Sequence, residues 1–200
     1  MAIQYYVADL ESNGLMWKNN NHEICELSVI RVSDRTQLTR YVRVDKPQNS
    51  SFDALRIIGR TSEDLKKGIS KIQLVNDVEQ FLKEDMLEPN SRCLIGHNII
   101  NFDRKFLWQH WETCNKIFPF DLYLDTMHLM RAYAKLKQLI KPAINLTASC
   151  KLLGIKQAGQ SHTGHFDTQH TFLLWRELIR VVDHLPHIKR IPHGTDDAEY

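Results

Sequence analysis

The chain has no long hydrophobic run. The apolar stretch Tyr5 to Ala8 is a few residues long, far short of the ~20 a membrane-crossing helix needs. It also lacks a cationic segment followed by an apolar one; Asp9 and Glu11 interrupt the N-terminal region, so a secretory leader is not expected. Its four cysteines, Cys25, Cys93, Cys114 and Cys150, are widely spaced without a Cys-x-x-Cys pair. That argues against a disulfide framework and for a reducing, intracellular compartment, cytoplasmic in the simplest case. Charge of one sign is scarce too. Lys and Arg number 26 against 24 Asp and Glu, a formal net charge of +2, which permits contact with a polyanion without demanding it. No repeat or low-complexity tract stands out.

What is present is an ordinary globular composition, 42% hydrophobic and 25% charged over 200 residues, enough for one domain with a sizeable core. Ten histidines keep metal and proton chemistry open. The alternation of Ile3 to Ala8 predicts a strand with Tyr5, Val7, Asp9 and Glu11 on one side. Gly14 and the run Asn19-Asn20-Asn21 predict a loop. Two β-rich runs, Ile24 to Val32 and Thr39 to Val44, flank the turn-prone Ser33-Asp34-Arg35 and predict a hairpin. The stretch 46–68 reads as mostly irregular, with a short helix start at Thr61 to Asp64. Helical spacing returns at Ile72 to Glu84, a strand at Cys93 to Ile95, and a helix at Asp103 to Thr113 with Asn101 as its cap. Further helices are expected at 126–137, 146–153 and 166–182, separated by a polar loop at 157–165. Residues 184–200 read as a poorly ordered tail. Strands first, then helices alternating with strands, predict a mixed α/β domain with a partly antiparallel sheet.

Chemistry concentrates where polar groups interrupt apolar patterns. Asp9 and Glu11 end an apolar strand, where α/β folds expose functional groups. Asp103 shares a helix face with Phe106, Leu107, His110 and Trp111. A carboxylate there needs a partner, because burying it unpaired costs several kcal/mol; a helix N-terminus could also satisfy it. Asp167 also falls in a first helical turn, just after His162-Thr163-Gly164-His165, and a loop histidine beside acidic groups suits a general base. If the four carboxylates converge, each pair of charges at 4 Å repels by about 4 kcal/mol at an effective dielectric of 20. Hard divalent cations with oxygen ligands relieve that repulsion.

Three segments resemble the DEDDh 3′→5′ exonucleases: Asp9-Leu10-Glu11-Ser12-Asn13-Gly14, Gly96-His97-Asn98-Ile99-Ile100-Asn101-Phe102-Asp103-Arg104-Lys105-Phe106-Leu107, and His162 with Asp167 five residues on. Weaker matches at Glu23 to Leu27, Ala54 to Leu65, Asp125-Thr126 and Leu146 to Ile155 extend the resemblance over about residues 3–182. It implies a ribonuclease H-like fold, a mixed five-stranded sheet with helices on both faces, in a domain of residues 1–183 with 184–200 as a flexible tail. It further implies that Asp9, Glu11, Asp103 and Asp167 bind two Mg²⁺ or Mn²⁺ ions. His162 would be the base, and Leu10, His97, Asn98 and Phe106 would sit near substrate. Single-stranded DNA, slightly favoured over RNA, would be shortened from its 3′ end to nucleoside 5′-monophosphates. The resemblance leaves room for a polymerase or repair partner and for a homodimer.

Some positions depart from the family pattern. Ser12-Asn13-Gly14 replaces the frequent Thr-Gly, Ile58 stands where histidine is frequent, Arg60 where an aliphatic is frequent, and Gly164 where alanine is usual. The ligand and base positions are all kept. Two rivals compete with this reading. A zinc site built from His162, His165 and His170 lacks the helical His-x3-His spacing and any cysteine partner. A non-catalytic binding or polymerase-associated module would be betrayed by loss of a ligand or of the base.

Overall fold

A computed structural model of the chain describes residues 3–15, 22–156 and 163–183. The expected tail at 184–200, most of the expected loop at 157–165, and His162 lie outside the described residues.

The first strand, β1 (Gln4–Ser12), is longer than its apolar run predicts because it continues through the acidic pair. It sits at the centre of a five-stranded sheet. β2 (Ile24–Arg31) and β3 (Gln37–Tyr41) lie on one side of it, and β4 (Arg92–Gly96) and β5 (Leu122–Asp125) on the other, in the order β3-β2-β1-β4-β5. The hairpin side is antiparallel and the β4, β5 side parallel. The ladder of β1 shifts register between Glu11 and Ser12. Such an irregularity bends the strand and re-aims its side chains, a device common beside active sites.

Helices cover both faces, as the resemblance implies. On one face, α2 (Lys71–Lys83) and α3 (Asp103–Thr113) bury Leu74, Val78, Phe106, Leu107 and Trp111 against Tyr6, Ala8 and Leu10 of β1. On the other, α6 (Gly164–Asp183) lays Phe172 and Trp175 against Val7, Ile30 and Ile95. Its far side holds α4 (Thr126–Leu136) and α5 (Leu146–Leu152) through Met130, Cys150, Leu174 and Leu178. The period-two alternation of β1 thus sends its even residues to α2 and α3 and its odd ones to α6.

Two details of the helices differ from expectation. The stretch 46–68 contains a short helix, α1 (Phe52–Ile58), started by the Ser51 side chain and ended by Gly59 in the left-handed region at φ 65°. It buries none of its residues, so it carries no hydrophobic period to read. Asn101 does not cap α3; that position belongs to Phe102, which makes no side-chain cap bond, while Asn101 donates to the Asn98 side chain at 3.3 Å.

Candidate active site

Asp9 and Glu11 project from the α6 face of β1, and the first turn of α6 brings Asp167 to meet them. One ligand-capable oxygen from each lies within 4.8 Å of the others, and among the described residues this is the one cluster of that kind. Three of the four carboxylates expected to converge, from elements more than 150 residues apart, thus meet; Asp103 is not one of this cluster. Asp103, 5% exposed, begins α3 and accepts the Leu10 backbone N–H at 3.2 Å, which ties it to the strand between the two β1 carboxylates.

The electrostatics match the crowding. Burial, then the Asp103, Glu11, Asp167 and Glu26 charges, push the Asp9 carboxyl well above the usual carboxylate range. Burial and then Asp167, Glu26 and Asp103 raise Glu11 to about 8, with Arg60 pulling back. Asp103 is raised to about 7 by burial, against its own amide and that of Leu10. Such a set of hard oxygen donors, held together against its own repulsion, fits a divalent cation of the Mg²⁺ or Mn²⁺ type.

The connection from β4 to α3, which delivers Asp103, is organised by a carboxylate from the next strand. Asp125, at the end of β5, accepts the Asn98 and Met127 amides at 2.9 Å on one oxygen and the Ile100 amide at 3.3 Å on the other. Its side chain is 4% exposed. Asn98 itself takes a left-handed conformation, φ 70°, which asparagine tolerates better than most residues. In the sequence Asp125-Thr126 is a weak match to the family pattern, and nothing local marks its reach back to residues 98 and 100.

The residues expected near substrate are placed as follows. Both His97 ring nitrogens are engaged, one with the Thr126 hydroxyl at 2.9 Å and one with the Ile144 carbonyl at 2.8 Å. Burial lowers its pKa, so it is a neutral brace. Leu10 and Phe106 are 4% and 3% exposed and belong to the core. Instead, a cavity of about 220 Å³ opens beside Glu11 and Ser12, walled by Leu15, Ala54, Ile57, Ile58 and Phe102. His165 and His170 do not form a metal cluster among the described residues. His170 is buried, its Nδ1 3.8 Å from Asp167 within the same helix.

Comparison with known proteins fits this arrangement. The family model described as Exonuclease (RNase_T) matches residues 6–174. No curated protein matches the chain. Among solved structures, E. coli Exonuclease I in complex with a dT13 oligonucleotide superposes with a TM-score of 0.73 at 17% identity, covering 90% of this chain and 43% of that one. The nuclease domain of 3′hExo, a DEDDh family member bound to rAMP, gives 0.66 at 16%, covering 92% and 94%. Cell-death related nuclease 4 (CRN-4) gives 0.71 at 9%, covering 90% and 64%. The chain thus spans less than half the length of E. coli Exonuclease I, and at these identities the structural likeness is one of fold.

Proposed function

The chain belongs to the exonuclease family whose model it matches over residues 6–174, and from that premise we propose that it is of the DEDDh type and shortens single-stranded nucleic acid from the 3′ end, releasing nucleoside 5′-monophosphates. The observation that carries this reading is the meeting of Asp9, Glu11 and Asp167 oxygens within 4.8 Å, with Asp103 bonded to the amide between the first two. Asp9, Glu11, Asp103 and Asp167 would hold two Mg²⁺ or Mn²⁺ ions. When bound, those ions supply charge neutralisation for the entering and leaving oxygens of an in-line displacement.

The chain's own residues do the rest. Asp125 and the His97 brace keep the loop before Asp103 in one shape, so the carboxylates are held before substrate arrives. The cavity beside Glu11 receives the terminal nucleotide, with apolar walls for a base or sugar and the acidic cluster at its phosphate edge. His162 takes the proton of the attacking water as its oxygen bonds to phosphorus, and the bond to the preceding nucleotide's 3′ oxygen breaks. Single strands are favoured because a terminal nucleotide must leave its stack to enter such a cavity. DNA is placed ahead of RNA only slightly: E. coli Exonuclease I is solved with dT13 and 3′hExo with rAMP.

The test is degradation of 3′-labelled and 5′-labelled single-stranded DNA and RNA with Mg²⁺, with Mn²⁺ and with EDTA. We expect metal-dependent release of mononucleotides from the 3′ end, lost on Asp9→Asn or Asp167→Asn while the circular dichroism spectrum is unchanged. Full activity in either variant would sink the metal assignment. An inert wild type with every metal and polymer would leave a binding module.

A further inference from the structure

Behind the metal cluster lies a fifth carboxylate. The β1–β2 register sets Glu26 directly opposite Glu11, so both project from the same face of the sheet. Glu26 is 1% exposed, and a like charge so placed, buried and beside the cluster, is costly unless something holds it. Arg60 does. Its guanidinium bonds Glu26 Oε2 at 2.6 Å and the Cys25 carbonyl at 3.2 Å, and it lies 4.1 Å over the Tyr41 ring. The arginine itself is four-fifths covered, with 19% of its side chain exposed.

The other oxygen, Oε1, looks the opposite way. It is buried and closes no hydrogen bond of its own, yet it faces the start of α6, where a Cβ at Gly164 would sit 3.3 Å from it. Burial raises the Glu26 carboxyl's pKa, and against it pull Arg60 and then the His165 and Gly164 amides at the start of α6, where the positive end of a helix lies. Three residues after Gly164, in the same turn, comes Asp167. Two departures from the family pattern, an arginine at 60 and a glycine at 164, thus meet on one buried carboxylate. The glycine leaves room for it and the arginine fixes it.

We infer that Arg60 and Glu26 form a brace that sets the first turn of α6, and through it Asp167, relative to Asp9 and Glu11. They are positioning residues, and the inference rests on the metal-dependent reading of the site. Groups that orient metal ligands in this way typically change metal affinity by ~10-fold or more when removed.

The experiment compares wild type with Arg60→Met, Glu26→Gln and the double variant. Mn²⁺ affinity is measured by titration calorimetry, kcat and KM on a single-stranded oligonucleotide, and amide exchange over residues 163–171 in metal-free protein. Each single change should weaken Mn²⁺ binding ~10-fold and lower kcat with KM little changed. It should also speed exchange in 163–171 but not in α2. The double variant should be no worse than the singles, because both break one linkage. Arg60→Lys, which keeps the charge, should recover most of the loss; it also serves if Arg60→Met does not fold. Variants that lose thermal stability but keep wild-type Mn²⁺ affinity, kcat and exchange would overturn the brace, leaving an ordinary buried ion pair. A wild type that neither binds Mn²⁺ nor cleaves would overturn the proposed function instead. Exchange over 163–171 then decides the brace alone: unchanged exchange refutes it and faster exchange upholds it.

Discussion

Removing metal should make this protein less stable as pH rises above neutrality, the reverse of the usual behaviour of paired carboxylates. Glu11 is held near 8 in the fold, against about 4.3 in an unfolded chain. Between those values the folded state binds a proton that the unfolded state does not, so folding stability declines with pH until Glu11 ionises in both states. From pH 7 to pH 8 the decline from Glu11 alone is about 1 kcal/mol, or ~2–4 °C in Tm for a domain of this size. Asp9, raised by burial and by the same neighbours, adds in the same direction. The window matters, because burial lowers the pKa of both His97 and His110, the latter to about 4. Those two groups add stability as pH rises to about 6.5 and contribute nothing beyond it. Scanning calorimetry in EDTA at pH 7.0, 7.5 and 8.0 reads the effect. Mg²⁺ or Mn²⁺ should raise Tm more at pH 8 than at pH 7, because binding no longer has to displace the proton. The Glu11→Gln variant should be more stable than wild type in EDTA at pH 8, with a flatter pH profile and no nuclease activity. A wild-type Tm that is flat or rises across this window, or a Glu11→Gln variant that melts lower at pH 8, would refute the account.

Other expectations concern the frame around the site. Asp125→Ala strips the acceptor from the Asn98, Ile100 and Met127 amides. It should cost ~2–4 kcal/mol in urea unfolding and lower kcat, because Asp103 follows that loop. Asp85→Ala takes the carboxylate partner from the Arg92 guanidinium, bonded to Asp85 at 2.9 and 2.6 Å, and leaves it only the Leu82 carbonyl at 3.3 Å. With both side chains under 10% exposed, the loss should be ~3–5 kcal/mol, with kcat of the remaining folded enzyme unchanged. Gly68→Ala places a Cβ 2.6 Å from the Tyr41 carbonyl oxygen at φ +106°. It should destabilise by about 2 kcal/mol or more, read as an earlier urea midpoint with the same slope.

The legible parts of the sequence were those whose signal is local. The alternation of β1 placed Asp9 and Glu11 on one side without reference to any other element. Asp103 stood out because a carboxylate broke the apolar face that Phe106, Leu107 and Trp111 set for α3. Short elements escaped. α1 has seven residues and no buried side chain, so only its caps at Ser51 and Gly59 mark it, and β5 has four residues, too few for a period to show. Long-range pairings escaped for another reason. That Asp125 holds residues 98 and 100, or that Arg60 reaches Glu26, depends on how the sheet and its connections are laid out. Leu10 and Phe106, expected near substrate, are packed into the core cluster, a placement that apolar character beside functional residues does not by itself foretell.

The central place of β1 has a consequence in time. Its carboxylates precede Asp103 by about a hundred positions in the chain and Asp167 by more than a hundred and fifty, and contacts of such separation form slowly because a long loop must close first. During synthesis the sheet and its α2, α3 face emerge well before α6, which alone of these elements delivers Asp167. Until α6 docks across β1 and β2, Asp9 and Glu11 stand without the Asp167 carboxylate that meets them in the folded chain. The cluster of Asp9, Glu11 and Asp167 therefore closes late, only when α6 has emerged and docked.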